Sequence, residues 1–369
     1  MNTMNNIEKL RECGVSVWLD DLSRARLVSG QLEKMIGDGF ISGVTTNPSI
    51  FRNAISGARD YREDIAKLSD AGKSAEEIIT VLTSEDVRQA CDLFAETYRN
   101  TNGYDGRVSI EVDPRLAHAG EETVVQAKKL WKLVDRPNVM IKIPATLEGL
   151  HAITAAVAEG ISVNVTLIFS ADRYRQVIDA YFCGLEKALE KGIDISTIHS
   201  VASFFVSRVD TEIDARLSEI GSPDALAMRG KAALANARVA YGVYLDHFVN
   251  SQRFAQLAAR GANIQRPLWA STGVKNPDYS PTLYVDRLVA KNTVNTMPEA
   301  TLRATLDTAE ITGDTICGEI ENSEQIIKQI VRLGIDFSSA TDRLEAEGVE
   351  KFEIAWNELN EAVAEAMQQ

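Results

Sequence analysis

A lysine stands within an apolar, β-branched run, residues 138–144, which a proline closes. Such a run predicts one buried strand, and period-2 alternation places Lys142 on the face opposite Ile141 and Ile143. Lysine is rarely buried without a partner or a role. A buried amine beside carboxylates is the arrangement that forms a Schiff base with a carbonyl substrate. On this run alone, a solvated lysine on an edge strand is an equal alternative.

Polar side chains also stand near the carboxyl ends of the other predicted strands. The main ones are Asp20, Thr45, Asn47, Glu111, Asn164, Thr166, Ser203 and Ser271. In a closed barrel, alternate residues of each strand face the surrounding helices, and the residues between them face the lumen. A lumen layer that contains carboxylates, hydroxyls and an amine is costly unless these groups bond to one another and are used. Taken alone, each of these residues is also typical of a turn, and Arg208 is also typical of a solvated helix. Their occurrence together with Lys142 indicates a functional site.

The elements that would position these residues alternate between strand and helix. Strands are predicted at 15–20, 40–47, 107–113, 138–144, 161–169, 199–205, 267–271 and 293–297. Eight strands alternating with helices predict a (β/α)8 TIM barrel. A doubly wound open sheet is the alternative, but its GxGxxG fingerprint is absent after the first strand. We expect residues 1–369 to form one barrel domain, with helical insertions at about 57–101 and 222–260 and C-terminal helices at about 310–367.

The composition is that of an ordinary globular protein, with 45% hydrophobic and 25% charged residues. Lys and Arg total 39 against 53 Asp and Glu, which gives a net charge of −14. Such a charge disfavours nucleic acid and anionic membranes as partners. An anionic substrate would therefore need a local cluster of cations.

The four cysteines and four histidines show no metal-ligand spacing, so neither a metal site nor a disulfide framework is expected. The first residues lack a basic segment followed by an apolar one, and no run approaches the roughly 20 apolar residues of a membrane span. We therefore expect a cytoplasmic protein. The sequence leaves a monomer and a homodimer open.

Five stretches resemble the signature motifs of the transaldolase family. They are GVTTNPS at 43–49, RVSIEVD at 107–113, VMIKIPAT at 139–146, ISVNVTLIFS at 161–170 and ASFFVSRVD at 202–210. The similarity runs from about Ser16 to Met297 with the motifs in the family's order. The long chain, WASTGVK at 269–275 and the C-terminal helices resemble the extended branch found in actinobacteria and some other bacteria.

The resemblance implies a class I aldolase barrel that needs no metal or cofactor. Its members move a dihydroxyacetone unit from sedoheptulose 7-phosphate or fructose 6-phosphate to glyceraldehyde 3-phosphate or erythrose 4-phosphate in the pentose phosphate pathway. By motif, Lys142 would form the Schiff base with the ketose C2, and Glu111 would act as acid and base on a water held by Thr166. Asp20 would take the proton of the C4 hydroxyl.

The same motifs imply the residues that bind substrate. Asn47 and Asn164 would bind the dihydroxyacetone hydroxyls, Thr45 and Ser203 would line the pocket, and Arg208 would hold the phosphate. Family members with a shorter chain have Ser-x-Arg after strand seven.

At that point this sequence departs from the shorter members, because Ser271 is followed by Thr272-Gly273-Val274-Lys275. Ser271 is expected to support the phosphate, and Lys275 is the candidate for the second cation.

Two other functions compete with this one. A fructose-6-phosphate aldolase would release dihydroxyacetone to water, but those relatives are much shorter and have Tyr where Glu111 stands. A catalytically inactive barrel that serves as a binding protein is the alternative outside enzymes. The presence of Lys142, Glu111 and Asp20 together argues against it.

Overall fold

Eight parallel strands form a closed barrel in the computed structural model, which describes residues 4–57 and 59–368. The strands are β1 (Val15–Leu19), β2 (Gly43–Val44), β3 (Arg107–Glu111), β4 (Val139–Pro144), β5 (Val163–Ile168), β6 (Ser200–Phe205), β7 (Gln265–Ala270) and β8 (Thr293–Met297). Each strand pairs with the next in sequence, and β8 closes on β1 from Val15↔Thr293 to Leu19↔Met297. The predicted (β/α)8 barrel is confirmed, and an open sheet is excluded because all eight strands have a neighbour on both sides and no edge strand remains.

Helices connect the strands and follow the last one. The α-helices are α1 (Asn6–Glu12), α2 (Arg24–Val28), α3 (Gln31–Gly37), α4 (Pro48–Ile55), α5 (Arg62–Asp70), α6 (Ala75–Leu93), α7 (Ala95–Asn100), α8 (Gly120–Val134), α9 (Leu147–Val157), α10 (Ala171–Glu190), α11 (Ser207–Ile220), α12 (Pro223–Leu226), α13 (Ala232–Tyr244), α14 (Gln252–Ala258), α15 (Leu283–Asp286), α16 (Glu299–Thr308), α17 (Ile320–Arg332) and α18 (Phe337–Ala366). Short 3₁₀ segments lie at Arg59–Tyr61, Pro114–Leu116, Ile195–Thr197 and Cys317–Glu319, and a π-helical turn at Leu245–Val249. None of the described helices is long and apolar enough to cross a membrane.

Side-chain caps begin the helices at the carboxyl ends of three strands. Asn47 accepts a hydrogen bond from Ile50 N at 3.0 Å to cap α4, and Pro48 follows at the first helical position. Thr146 caps α9 and Ser170 caps α10 in the same way. These caps fix where each chain segment turns away from the barrel, and so they fix the rim around its mouth.

The amino-terminal end of the lumen is filled by a polar network around Asp105. Its carboxylate accepts hydrogen bonds from Trp18 Nε1 at 3.0 Å and from Arg266 Nη2 at 3.1 Å. A Cβ on Gly43 would lie 2.7 Å from the Trp18 ring, so glycine is required there. This end of the barrel is therefore closed by packing, and the opening lies at the other end.

Several predicted boundaries were wrong, each for a local reason. The second strand spans Gly43–Val44 instead of 40–47, because Phe40 N closes the end of α3 on Met35 O and Asn47 caps the next helix. Before β2, the helices α2 and α3 are separated by Gly30 at φ +73°.

Two further strand ends differ from prediction. β3 ends at Glu111, since Asp113 caps the following turn and pairs with Arg115. β7 begins at Gln265, because both polar side chains at its start are buried and bonded: Gln265 donates to Ser200 Oγ, and Arg266 contacts Asp105 inside the barrel.

The long C-terminal helix α18 packs against α4, α6, α11 and β5. Ion pairs fix it at two points: Arg173 contacts Glu345 at 2.9 Å, and Arg52 pairs with Glu358. Arg173 belongs to the first turn of α10, which follows the carboxyl end of β5. α18 therefore lies against the mouth end of the barrel.

Candidate active site

A cavity of about 260 Å³ lies at the carboxyl ends of the strands. Nine of the eleven residues predicted from the sequence line it: Asp20, Thr45, Asn47, Lys142, Thr166, Ser203, Arg208, Ser271 and Lys275. The other two, Glu111 and Asn164, are buried beside Lys142 at matching positions of the neighbouring strands. The structure therefore gathers the predicted residues in one place.

Lys142 and Glu111 form a buried ion pair. The Nζ of Lys142 lies 3.2 Å from Oε2 of Glu111 and donates a hydrogen bond to Thr46 O at 2.9 Å. The exposed fraction is 4% for Lys142 and 7% for Glu111. Neither carboxylate oxygen accepts a hydrogen bond of good geometry from a described residue. Burial raises the pKa of Glu111 to about 7, against the opposing effect of the Lys142 charge.

Asp20 is held by a chain of hydroxyl groups. Thr45 Oγ1 donates to Asp20 Oδ1 at 2.7 Å and lies 2.6 Å from Thr296 Oγ1. Because a hydroxyl has one proton, Thr296 must be the donor to Thr45. Burial raises the pKa of Asp20, and the charge of Lys142 opposes the rise. The carboxyl group is thus oriented on the cavity wall, where a proton acceptor can be used.

Thr166, Asn47 and Asn164 differ in which of their polar atoms remain available to hydrogen-bond a ligand. Thr166 Oγ1 is buried without a hydrogen-bond partner among the described residues. The Oδ1 of Asn47 accepts from Ile50 N, so its amide nitrogen is left to donate. Asn164 instead donates to Ser109 Oγ at 3.0 Å and accepts from Ser203 Oγ at 2.7 Å. Thr166 and Asn47 can therefore contact a ligand directly, while Asn164 orients Ser203 by accepting its hydroxyl hydrogen bond.

Positive charge lies at one side of the cavity. Arg208, in the first turn of α11, stacks over the Phe205 ring at 5.2 Å, and its Nη1 is buried without a partner among the described residues. Burial lowers the pKa of Arg208 below its usual value. Ser271 Oγ lies 2.9 Å from Ser207 Oγ, and the exposed Lys275 lines the cavity from the loop after β7. An anionic group would find both cations at this end.

Two tyrosine–aspartate pairs, one partly buried and one buried, attach the segment after β7 that carries Lys275 to α11. Tyr279 donates to Asp214 Oδ2 at 2.7 Å, and Tyr284 donates to Asp210 Oδ2 at 2.7 Å. Since Arg208 stands at the start of α11, the two cations belong to elements that these bonds connect.

Sequence reasoning missed six residues of the cavity wall: Phe205, Ala270, Gly273, Thr296, Pro298 and Phe352. Thr296 could have been found, because it pairs with Trp18 in register and shares the lumen parity. Phe352 gave no local signal, since it comes from α18. Its ring centroid lies 5.6 Å from Lys142 Nζ.

This arrangement suits covalent chemistry on a carbonyl compound. The Lys142 amine can attack the carbonyl carbon, and two carboxyl groups, Glu111 and Asp20, can move protons at different points. Arg208 and Lys275 can bind an anionic group of the same molecule. Among the described residues, no group of three or more His, Cys, Asp or Glu side chains is placed to hold a metal ion.

Comparison with known proteins gives a consistent result. The family model described as Transaldolase/Fructose-6-phosphate aldolase matches residues 17–363. A protein named Transaldolase from Mycolicibacterium smegmatis is 59% identical over 357 residues, which are 97% of this chain and 96% of that protein. Proteins of the same name from Mycobacterium ulcerans and Mycobacterium tuberculosis are 58% and 57% identical, over 97% and 96% of this chain and 96% and 95% of their own.

Proposed function

The chain belongs to the transaldolase/fructose-6-phosphate aldolase family, and we propose that the cavity around Lys142 is where it carries out the transaldolase reaction. That reaction transfers a dihydroxyacetone unit from sedoheptulose 7-phosphate or fructose 6-phosphate to glyceraldehyde 3-phosphate or erythrose 4-phosphate through a lysine Schiff base. It belongs to the pentose phosphate pathway. The observation that carries the proposal is the buried Lys142 amine, 3.2 Å from a carboxyl group of raised pKa, in a cavity that also has two cations.

Schiff-base formation is the first step. Glu111 takes a proton from Lys142, and the neutral amine attacks C2 of the ketose. Glu111 then gives this proton, through a water held by Thr166, to the oxygen on C2. It takes a second proton from the nitrogen and passes it to the same oxygen, which leaves C2 as water. Oγ1 of Thr166 and the oxygens of Glu111 accept no hydrogen bond from a described residue, so both groups can bind such a water, and this supports the assignment.

Cleavage of the C3–C4 bond follows. Asp20 takes the proton of the C4 hydroxyl, the aldehyde leaves, and the electron pair remains on C3 of the lysine-bound unit. When an acceptor aldehyde is attacked by C3, Asp20 gives the proton to the new alkoxide. The hydrogen bond from Thr45 leaves the second carboxylate oxygen of Asp20 available for this transfer.

The hydroxyl groups of the three-carbon unit need polar partners. We assign that role to Asn47 through its free amide nitrogen and to Ser203, with Thr45 completing the wall. Asn164 is also proposed to take part. Its hydrogen bonds to Ser109 and Ser203 make an effect through Ser203 the more direct one.

The substrate phosphate is assigned to Arg208, with Ser271 and Lys275 in support. A chain of net charge −14 does not attract a sugar phosphate globally, so local cations must do so. The planar guanidinium can bind two phosphate oxygens at once, and the start of α11 also favours an anion.

We further propose that residues 1–369 act as one domain and work in the cytoplasm, as a monomer or a homodimer. A continuous core that runs from Ile7 to Val363 supports the single domain. The four cysteines are free thiols, as is usual in a reducing compartment.

An assay with fructose 6-phosphate, with and without erythrose 4-phosphate, tests the function. We expect rapid formation of sedoheptulose 7-phosphate when both are present and slow release of dihydroxyacetone when the acceptor is omitted. A fructose-6-phosphate aldolase would release dihydroxyacetone at a similar rate in both cases. Activity that persists in EDTA would agree with a reaction that uses no metal.

A further inference from the structure

The C-terminal helix places an aromatic ring over the reactive amine. Phe352 of α18 is 4% exposed, lines the cavity, and has its ring centroid 5.6 Å from Lys142 Nζ. Its ring therefore forms part of the cover of a cavity that is otherwise lined by residues of the strands and the segments that follow them.

Close packing holds this ring in place. α18 approaches the barrel at Gly348, where an added Cβ would lie 2.9 Å from Leu167 Cδ2 and 3.6 Å from Arg208 Nη1. Leu167 adopts φ +59° at the point where the pairing of β5 with β6 shifts register. The ion pair between Arg173 and Glu345 fixes the helix about two turns before Phe352. Only a residue without a side chain allows α18 to come this close.

We propose that Phe352 controls the fate of the three-carbon unit after the first aldehyde has left, and this inference rests on the proposed function. At that stage the electron pair of the broken C3–C4 bond lies on C3. In the transfer route, C3 attacks the acceptor aldehyde and Asp20 protonates the new alkoxide. In the release route, C3 takes a proton from water and leaves hydroxide. The hydroxide adds to C2, its proton passes to the nitrogen, and Lys142 leaves as the amine with free dihydroxyacetone.

The position of Phe352 suits it to block the release route. C3 lies two bonds from the lysine nitrogen, which is within about 2.5 Å given ordinary bond lengths. The ring centroid is 5.6 Å from Nζ, so C3 lies within about 8 Å of it, inside the cavity that Phe352 lines. The ring offers no proton and no hydrogen bond to an entering water, so it keeps bulk water from C3 until an acceptor arrives. The water needed to hydrolyse the final Schiff base is held separately, by Glu111 and Thr166.

The test compares two rates in the full-length protein and its variants. One is the release of free dihydroxyacetone from fructose 6-phosphate alone, and the other is the formation of sedoheptulose 7-phosphate when erythrose 4-phosphate is added. For Phe352→Ala we expect the ratio of release to transfer to rise about tenfold, which corresponds to about 1.4 kcal/mol between the two routes. The matched control is Ile354→Ala, because Ile354 lies on the same helix and is 50% exposed. Its ratio should equal that of the wild type.

Gly348→Ala supplies a second variant that leaves Phe352 intact. The added methyl group would push α18 away from Leu167, so the ratio should rise in the same direction. This variant decides the matter if Phe352→Ala fails to fold, as judged by circular dichroism and thermal denaturation. A ratio that stays at the wild-type value in a folded Phe352→Ala, or in Gly348→Ala when Phe352→Ala does not fold, would overturn the inference. Absence of transfer by the wild type would instead contradict the proposed function.

Discussion

The Nζ of Lys142 lies 3.2 Å from Oε2 of Glu111, at directly paired positions of β4 and β3. At this distance the carboxylate of Glu111 can take a proton from the amine, which must be neutral to attack a carbonyl group. A Glu111 that is already protonated cannot accept that proton.

The first prediction concerns pH. Burial raises the pKa of Glu111 to about 7, so Glu111 takes up a proton as the pH falls through that region. We therefore expect kcat/KM to decrease below about pH 7 and to level off above it. The decrease follows from loss of the carboxylate that accepts the proton of the amine. It should be absent from the pH profile of Glu111→Gln, although that variant is slower overall by a factor of about 10²–10⁴. If kcat/KM of Glu111→Gln still decreased below about pH 7, the decrease would have to come from the protonation of another group.

The second prediction separates the two carboxyl groups. Asp20 is oriented by Thr45 and lies on the cavity wall, whereas Glu111 is buried beside the amine. Asp20→Asn should therefore still form a Schiff base with fructose 6-phosphate but should be slowed in C3–C4 cleavage by a factor of about 10²–10⁴. Borohydride should trap the whole six-carbon substrate on this variant. If borohydride traps no adduct on Asp20→Asn, Asp20 is also needed for Schiff-base formation, and the separate roles of the two carboxyl groups are contradicted.

The third prediction concerns the phosphate. A charge-assisted hydrogen bond contributes about 1.5–3 kcal/mol, so Arg208→Ala should lower kcat/KM for fructose 6-phosphate by about 10- to 150-fold. The use of free fructose, which is poor to begin with, should change little. Arg175→Ala is the matched control, because Arg175 is exposed and does not line the cavity. Equal losses with both substrates would mean that Arg208 supports the fold instead of binding phosphate.

The fourth prediction concerns the loop after β7. Lys275 lines the cavity from this loop, and Tyr279 fixes the loop to Asp214 on α11. Lys275→Ala should raise KM for phosphorylated substrates with little change in kcat. Tyr279→Phe removes only the hydroxyl that donates to Asp214, and it should raise KM in the same direction by a smaller factor. A change in kcat alone, with KM unaltered in both variants, would contradict a role in phosphate binding.

Alternation along the strands was enough to predict most of the site. Alternate residues of a strand face opposite sides of the sheet. Once the barrel closes, Glu111, Asp20 and Thr166 therefore face the lumen together with Lys142. The same rule extends to Thr296, which the sequence analysis did not include. The strand order was likewise predictable, because strands alternating with helices favour parallel neighbours in sequence order.

Contacts made by distant segments could not be predicted. Phe352 covers Lys142 only because α18 folds back over the mouth, and no periodicity in α18 indicates which surface it covers. The short β2 depended on Phe40 closing α3, which propensity alone does not reveal. The internal hydrogen bonds of Asn164 followed from the register of β5 with its neighbours.

The most direct test of the account is chemical trapping of the covalent intermediate. The protein would be incubated with fructose 6-phosphate, reduced with borohydride, digested, and analysed by mass spectrometry. We predict that one peptide gains the mass of the reduced sugar-derived adduct and that fragmentation places the adduct on Lys142. Lys142→Ala should show neither adduct nor transfer activity, with circular dichroism confirming that it is folded. An adduct on a different lysine, or full transfer activity in Lys142→Ala, would contradict the central claim.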